Sequence, residues 1–132
     1  MDDVNSSNEF DPVADQTVSA TTVDNDTAGF TMVESGGSTS VNESGTTDSL
    51  TVVLTAQPAS DVVLTVTSGD TGEATVSPAT VTFTSVNWNV PQTVTVTGVN
   101  DVLADGSQAS AITVSVDDAA SSNEFDSVAD QT

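Results

Sequence analysis

The chain has no lysine, arginine or histidine, and no cysteine or tyrosine, in 132 residues. Nucleic-acid phosphates need Lys and Arg to displace their counterions, so nucleic acid is not expected as a partner. An anionic membrane surface is disfavoured on the same ground. No run of 18 apolar residues exists, so no membrane-spanning helix is expected. No secretory signal peptide is legible at the N-terminus. The lack of cysteine leaves the redox compartment open. Catalysis also loses its footing, because a serine nucleophile has no usual base and a phosphate has no clamp. A carboxylate pair of the glycosidase kind is the remaining route, and nothing in the sequence singles one out. With one Trp and four Phe, no aromatic-lined cleft is evident. No enzymatic activity is expected.

What the chain does have is acid, hydroxyl and β-branched side chains. Its 20 acidic residues give a formal charge of −20. Like charges about 5 Å apart cost roughly 3 kcal/mol at an effective dielectric of 20. The carboxylates must therefore be dispersed, screened by salt or neutralised by bound metal. Ser and Thr together make up roughly 30% of the chain, far above ordinary globular usage. Disorder is the rival reading for so acidic a composition, but 36% of the residues are hydrophobic and they recur with a period of two.

That period is clear in SLTVVLTA (49–56), where Leu50, Val52 and Leu54 share one face. DVVLTVTS (61–68) repeats the pattern with Val62, Leu64 and Val66, and VTFT (81–84) with Val81 and Phe83. TVTVTGV (93–99) offers Val94 and Val96, and AITVSV (111–116) offers Ile112, Val114 and Val116. The opposite faces are mostly Thr and Ser, as in half-buried antiparallel strands. Further strands are expected at 18–24 and 30–34, with a short one at 74–77. Gly and Pro mark the joints. The fold class expected is all-β: an immunoglobulin-like antiparallel β-sandwich of about seven strands. Trp88, in NWNVPQ (87–92), is read as a structural aromatic closing one end of the core, with carbohydrate stacking as the alternative.

The two ends of the chain repeat each other. Residues 2–17 and 117–132 agree at 13 of 16 positions, at an offset of 115 residues. Fixed-spacing self-similarity is the signature of a repeat array. Residues 1–26 are thus read as the end of a preceding repeat, with its last strand and an acidic linker. Residues 27–132 are read as one repeat lacking its own final strand. The spare copy of that strand, 18–24, is about 23 Å long if extended, whereas residues 26–29 reach at most about 14 Å. It cannot fold back, and head-to-tail self-association through residues 18–24 is expected.

The run VTFTSVNWNVPQTVTVTGVNDVLADG (81–106) resembles a repeat of giant bacterial surface proteins of the repeats-in-toxin (RTX) adhesin type. It is also similar to the Calx-β and cadherin-like domains, with ESG at 43–45 entering the second strand and an acidic loop after the fifth. The chain departs from the adhesin pattern with Asn100-Asp101 in place of an Asp pair and Ser107 in place of the last Asp of DGD. The resemblance implies an immunoglobulin-like sandwich, an extracellular place on the bacterial cell surface, Ca2+ binding, and service as a structural extender among neighbouring identical repeats in tandem. A carbohydrate- or ligand-binding β-sandwich module, using the Thr-rich faces and Trp88, is the alternative.

Alternating strands send the acidic loops to two ends. One end is expected to hold Glu43, Asp48, Asp70, Glu73, Asp101 and Asp105. The other is expected to hold Asp61, Asp117, Asp118, Glu124 and Asp126, with the entering linker Asp24-Asn25-Asp26. Calcium takes six to eight oxygens from carboxylates, amides and backbone. The expected ligands are Asp24, Asp26, Glu43, Asp70, Asp101, Asp105, Asp117, Asp118, Glu124 and Asp126.

Overall fold

Period-two alternation builds two facing antiparallel sheets. The computed structural model describes residue 14 and residues 16–132. It has seven strands: β1 Phe30–Glu34, β2 Thr47–Leu54, β3 Val62–Ser68, β4 Ala74–Ser77, β5 Thr80–Phe83, β6 Gln92–Gly98 and β7 Ile112–Val116. One sheet has the order β1-β2-β6-β4 and the other β5-β3-β7. Leu50 lies opposite Val94, Val62 opposite Phe83, and Val66 opposite Val114. A one-residue slip in any of these pairs would turn an apolar row to water, so burial of the inner faces fixes the register.

The apolar rows read from the sequence form the core. Leu50, Val52, Leu54, Val62, Leu64, Val66, Val81, Phe83, Val94, Val96 and Val114 are buried, and Ile112 and Val116 pack against them. Thr51 opposite Thr93 and Thr65 opposite Thr80 belong to the alternate rows. Such cross-strand pairs contribute about 0.2–1 kcal/mol each. The short strand at 74–77 joins the edge of β6 in the first sheet before the chain crosses to β5 in the second. Trp88 packs partly buried against the core, and its carbonyl accepts a hydrogen bond from Leu54 N–H at 3.2 Å.

Residues 117–132 close the sandwich at the end where β7 finishes. Ser122 N–H donates to the Asp61 carbonyl (2.9 Å), Val63 N–H to Ser121 Oγ (3.0 Å) and Ala59 N–H to Glu124 Oε1 (2.7 Å). A single 3-10 turn, Asn123–Phe125, then delivers the Phe125 ring into the core with no exposed surface. The motif SSNEF is thus a latch in which two hydroxyls, one carboxylate and one ring each have a separate task. Its N-terminal copy, residues 6–10, lies outside the described residues.

The structure differs from the sequence reading at 18–24. No strand forms there, and Val18 and Val23 are 95% and 82% exposed. A strand needs a partner for its backbone groups, and residues 18–24 find none among the described residues; an Asp turn follows them, in which Asp26 N–H donates to Asp24 Oδ1 at 2.9 Å. At the free side of β7, the described residues contribute one bridge, between Val114 and Gln131. The Gln131 side chain continues across the opening and donates to the Phe30 carbonyl of β1 at 2.6 Å.

Candidate metal centre

Three loops meet at the end of the sandwich where β7 begins: β1–β2, β3–β4 and β6–β7. In the first, Asn42 organises a tight turn. Its side-chain oxygen accepts from Ser44 N–H (3.0 Å) and from the Ser44 hydroxyl, and its carbonyl accepts from Gly45 N–H (3.1 Å). Gly45 takes a φ of +81°, which a side chain would resist. The turn rests on Gly98 at the end of β6, where any Cβ would overlap the Asn42 carbonyl oxygen. Glu43 is carried by this turn.

The other two loops are tied together by hydroxyls. Ser68 Oγ and Ser110 Oγ are 2.8 Å apart, Ser68 Oγ donates to the Ala74 carbonyl (2.7 Å), and Asp70 N–H donates to Ser110 Oγ (3.0 Å). Asp70 and Asp101 each fold a carboxylate oxygen back on the backbone two residues ahead, accepting from Gly72 N–H (2.9 Å) and Leu103 N–H (2.8 Å). This is the ordinary Asp turn, and it fixes where the remaining oxygens lie.

The result is a gathered set of acids. One carboxylate oxygen from each of Glu43, Asp101 and Asp105 lies within 4.8 Å of the other two. Two oxygens bound to one calcium at 2.3–2.6 Å can lie up to about 5 Å apart, so the spacing fits. The donor set is oxygen only, as calcium and other hard cations require. Glu73 stands beside this group, its carboxyl pushed above the ordinary range first by desolvation and then by Asp105, Asp101, Asp70 and Glu43. An acid whose folded pKa is raised keeps its proton in the folded state where the unfolded chain has lost it. Stability from this group therefore falls as pH rises through that window.

Two predictions arise from this geometry. Glu73→Gln, which removes one repelling charge, is expected to raise the melting temperature in chelator at pH 7 and to flatten its pH dependence just above the ordinary Glu range. A lower melting temperature in thermal scans would contradict the repulsion. Gly98→Ala is expected to cost roughly 1–3 kcal/mol, typical of forcing extra bulk into a packed site. It should also displace Glu43 and weaken metal binding, both readable by melting in calcium and in chelator.

The remaining expected ligands are placed differently. Asp70 lies at the same end, in the neighbouring loop, and is not part of the triplet. Asp48, expected at this end but not among the ligands, is held by Ser40 N–H (2.8 Å) and Ser49 N–H (2.7 Å), bonds that hold its carboxyl below the usual range. At the opposite end Asp24, Asp26 and Glu124 line a depression of about 420 Å³ with Pro58 and Phe125. Glu124 is lowered chiefly by the Ala59 N–H, then by Ser122. Asp117, Asp118 and Asp126 are spread along the latch: Asp117 N–H donates to the Val63 carbonyl, Asp118 opens a 3-10 turn, and Asp126 follows the next one. Among the described residues, the carboxylates gathered at metal-ligand distance are Glu43, Asp101 and Asp105.

Sequence reasoning brought these three loops to one end but did not count Glu73 among the ligands. Its signal is its position immediately before β4, where its carbonyl accepts Val99 N–H at 2.9 Å and ties it to the Asp101 loop. Comparison with protein-family models, with curated proteins and with solved structures returns no significant match.

Proposed function

We propose that the chain is a calcium-binding structural extender repeat of a large bacterial cell-surface adhesin, non-catalytic and outside the cell, that stiffens a tandem array projecting a distal binding module. The observation that carries this reading is the Glu43, Asp101 and Asp105 cluster at one end of a sandwich that has no cation of its own. The direction of the chain supports it. The linker Asp24-Asn25-Asp26 enters at the latch end, beside Pro58 and Glu124. Gln131 and Thr132 run antiparallel to β7, toward the clustered end. In an array of period 115, the next acidic linker would follow that strand to the cluster. Carboxylates of adjoining repeats would face one another at each joint, and a bound calcium would offset their repulsion and stiffen the connection. No helix among the described residues is long and apolar enough to cross a membrane. The partial burial of Trp88 against the core favours the extender reading over the carbohydrate alternative.

The test is the shape of a tandem protein of several such repeats in solution. Small-angle scattering should give a longer maximum dimension in millimolar calcium than in chelator. Equal dimensions, or retention of the protein on a glycan array through Trp88, would refute the extender reading.

A further inference from the structure

The β6–β7 loop, residues 99–111, is the longest connection between strands and carries two of the three gathered carboxylates. Its ends are tied down, by Val99 N–H donating to the Glu73 carbonyl (2.9 Å) and by Gly69 N–H donating to the Ala111 carbonyl (2.7 Å). Between those ties the backbone is unsupported. From Ala104 to Ala109 no backbone N–H donates to a described residue, and every residue is exposed. Backbone with so few native contacts opens at little cost.

Asp105-Gly106 stands in the middle of this stretch. Asp105 is the one Asp or Asn of the sequence that is followed by glycine. The Gly106 nitrogen is uncrowded as well as unbonded: nothing lies within 4 Å of where a Cβ on Gly106 would stand. Asp48-Ser49 shows the opposite arrangement, since it is held in the ladder of β2 and β6 with Asp48 opposite Val96.

We propose that Asp105 is a site of spontaneous covalent modification, converted to isoaspartate through its junction with Gly106. The Gly106 nitrogen attacks Cγ of the Asp105 carboxyl in its acid form. The N–Cγ bond forms, the Cγ–OH bond breaks, and the hydroxyl leaves with the amide hydrogen as water. The five-membered succinimide then takes one water back. Opening at Cγ restores aspartate, whereas opening at the former main-chain carbonyl leaves the chain running through Cβ and Cγ. No oxidant, reductant or metal takes part, and the product has the starting mass. Its main chain is longer by one methylene and its carboxylate sits directly on Cα, which withdraws that oxygen from Glu43 and Asp101. One consequence rests on the calcium reading: an ion holding the Asp105 carboxylate keeps it from Gly106, so an occupied site persists while an empty one is erased with time.

The experiment is incubation of the 132-residue chain in warm, near-neutral buffer for weeks, in chelator and in millimolar calcium. Isoaspartate is then labelled by enzymatic methyl transfer from S-adenosylmethionine, and the protein is cut with a protease that cleaves before aspartate. In chelator, label should accumulate in a peptide of residues 101–116, left joined because that protease does not cut before isoaspartate. Fresh protein should give 101–104 and 105–116 instead. Asp105→Glu keeps the carboxylate but would need a six-membered ring, so it should stay unlabelled there. Gly106→Ala is a poorer control, because Gly106 takes a φ of +75°, which a side chain resists. Calcium should slow the labelling of the wild type. Equal labelling of residues 101–116 in calcium and chelator would leave the modification standing and remove Asp105 from the ion's ligands. No label in that peptide, label spread evenly over the aspartate-containing peptides, or equal label in Asp105→Glu overturns the proposal.

Discussion

Phe125→Ala is expected to lower the stability of the domain by about 3–5 kcal/mol, the usual cost of deleting a fully buried aromatic ring. The ring has no exposed surface, and its turn is fixed by Phe125 N–H donating to the Ser122 carbonyl (2.9 Å) and Val128 N–H to the Phe125 carbonyl (3.0 Å). The latch is therefore too rigid to collapse into the space left behind. Domains of this size have about 5–15 kcal/mol of stability in total. Melting followed by circular dichroism should fall by roughly 10–15 °C. A fall of under about 3 °C would mean that residues 117–132 do not close the core. Glu124→Gln should act more gently, since an amide oxygen can still accept the Ala59 N–H.

Calcium is expected to act in the opposite direction. An ion bound by the folded state alone stabilises by RT ln(1 + [L]/Kd). Extracellular calcium modules commonly bind at about 10⁻⁴–10⁻³ M, so 10 mM calcium would add about 1.4–2.7 kcal/mol. For a domain of this size the melting temperature should rise by roughly 4–10 °C over chelator. Sodium chloride at matched ionic strength should give less, because it screens charge without bridging Glu43, Asp101 and Asp105. The gain should shrink with acid, as protonated carboxylates no longer hold the ion. Glu73 works against stability at neutral pH, whereas Asp48 and Glu124 contribute stability that is lost as pH falls below the ordinary carboxylate range. Metal-free protein should thus have its stability maximum on the acid side of neutrality. An unchanged curve in calcium, chelator and salt would count against the site.

The core was legible because alternation is a local property. Leu50, Val52 and Leu54 declare their common face within five residues, and every such row proved to point inward. Strand ends were less legible, because partners outside the strand decide them. β2 stops at Leu54, where its N–H turns to the Trp88 carbonyl and Thr55 N–H to Gly29. The expected strand at 18–24 shows the limit of pattern: Val18, Ala20 and Thr22 alternate well, yet no edge lies within reach of the linker. Topology was enough to bring Glu43, Asp101 and Asp105 to one end. Which acids would touch depended on Gly98, whose missing side chain admits the Asn42 turn, and on the Ser68–Ser110 contact between two loops. Neither residue carries charge, so a search for ligands passes over both. Asp48 and Glu124 look like the other acids in sequence but accept from the N–H groups of residues outside their own turns, Ser40 and Ala59, partners that only the fold brings to them.

The central claim is that one end of this sandwich holds calcium through Glu43, Asp101 and Asp105. Isothermal titration of calcium into the wild-type chain and into a Glu43→Gln, Asp101→Asn, Asp105→Asn variant tests it most directly. The variant removes three mutually repelling charges, and should fold at least as well in chelator as the wild type. The wild type should bind with a dissociation constant of about 10⁻⁴–10⁻³ M, and the variant should lose that site. Identical isotherms for the two proteins, or no calcium heat from a folded wild type at millimolar concentrations, would contradict it.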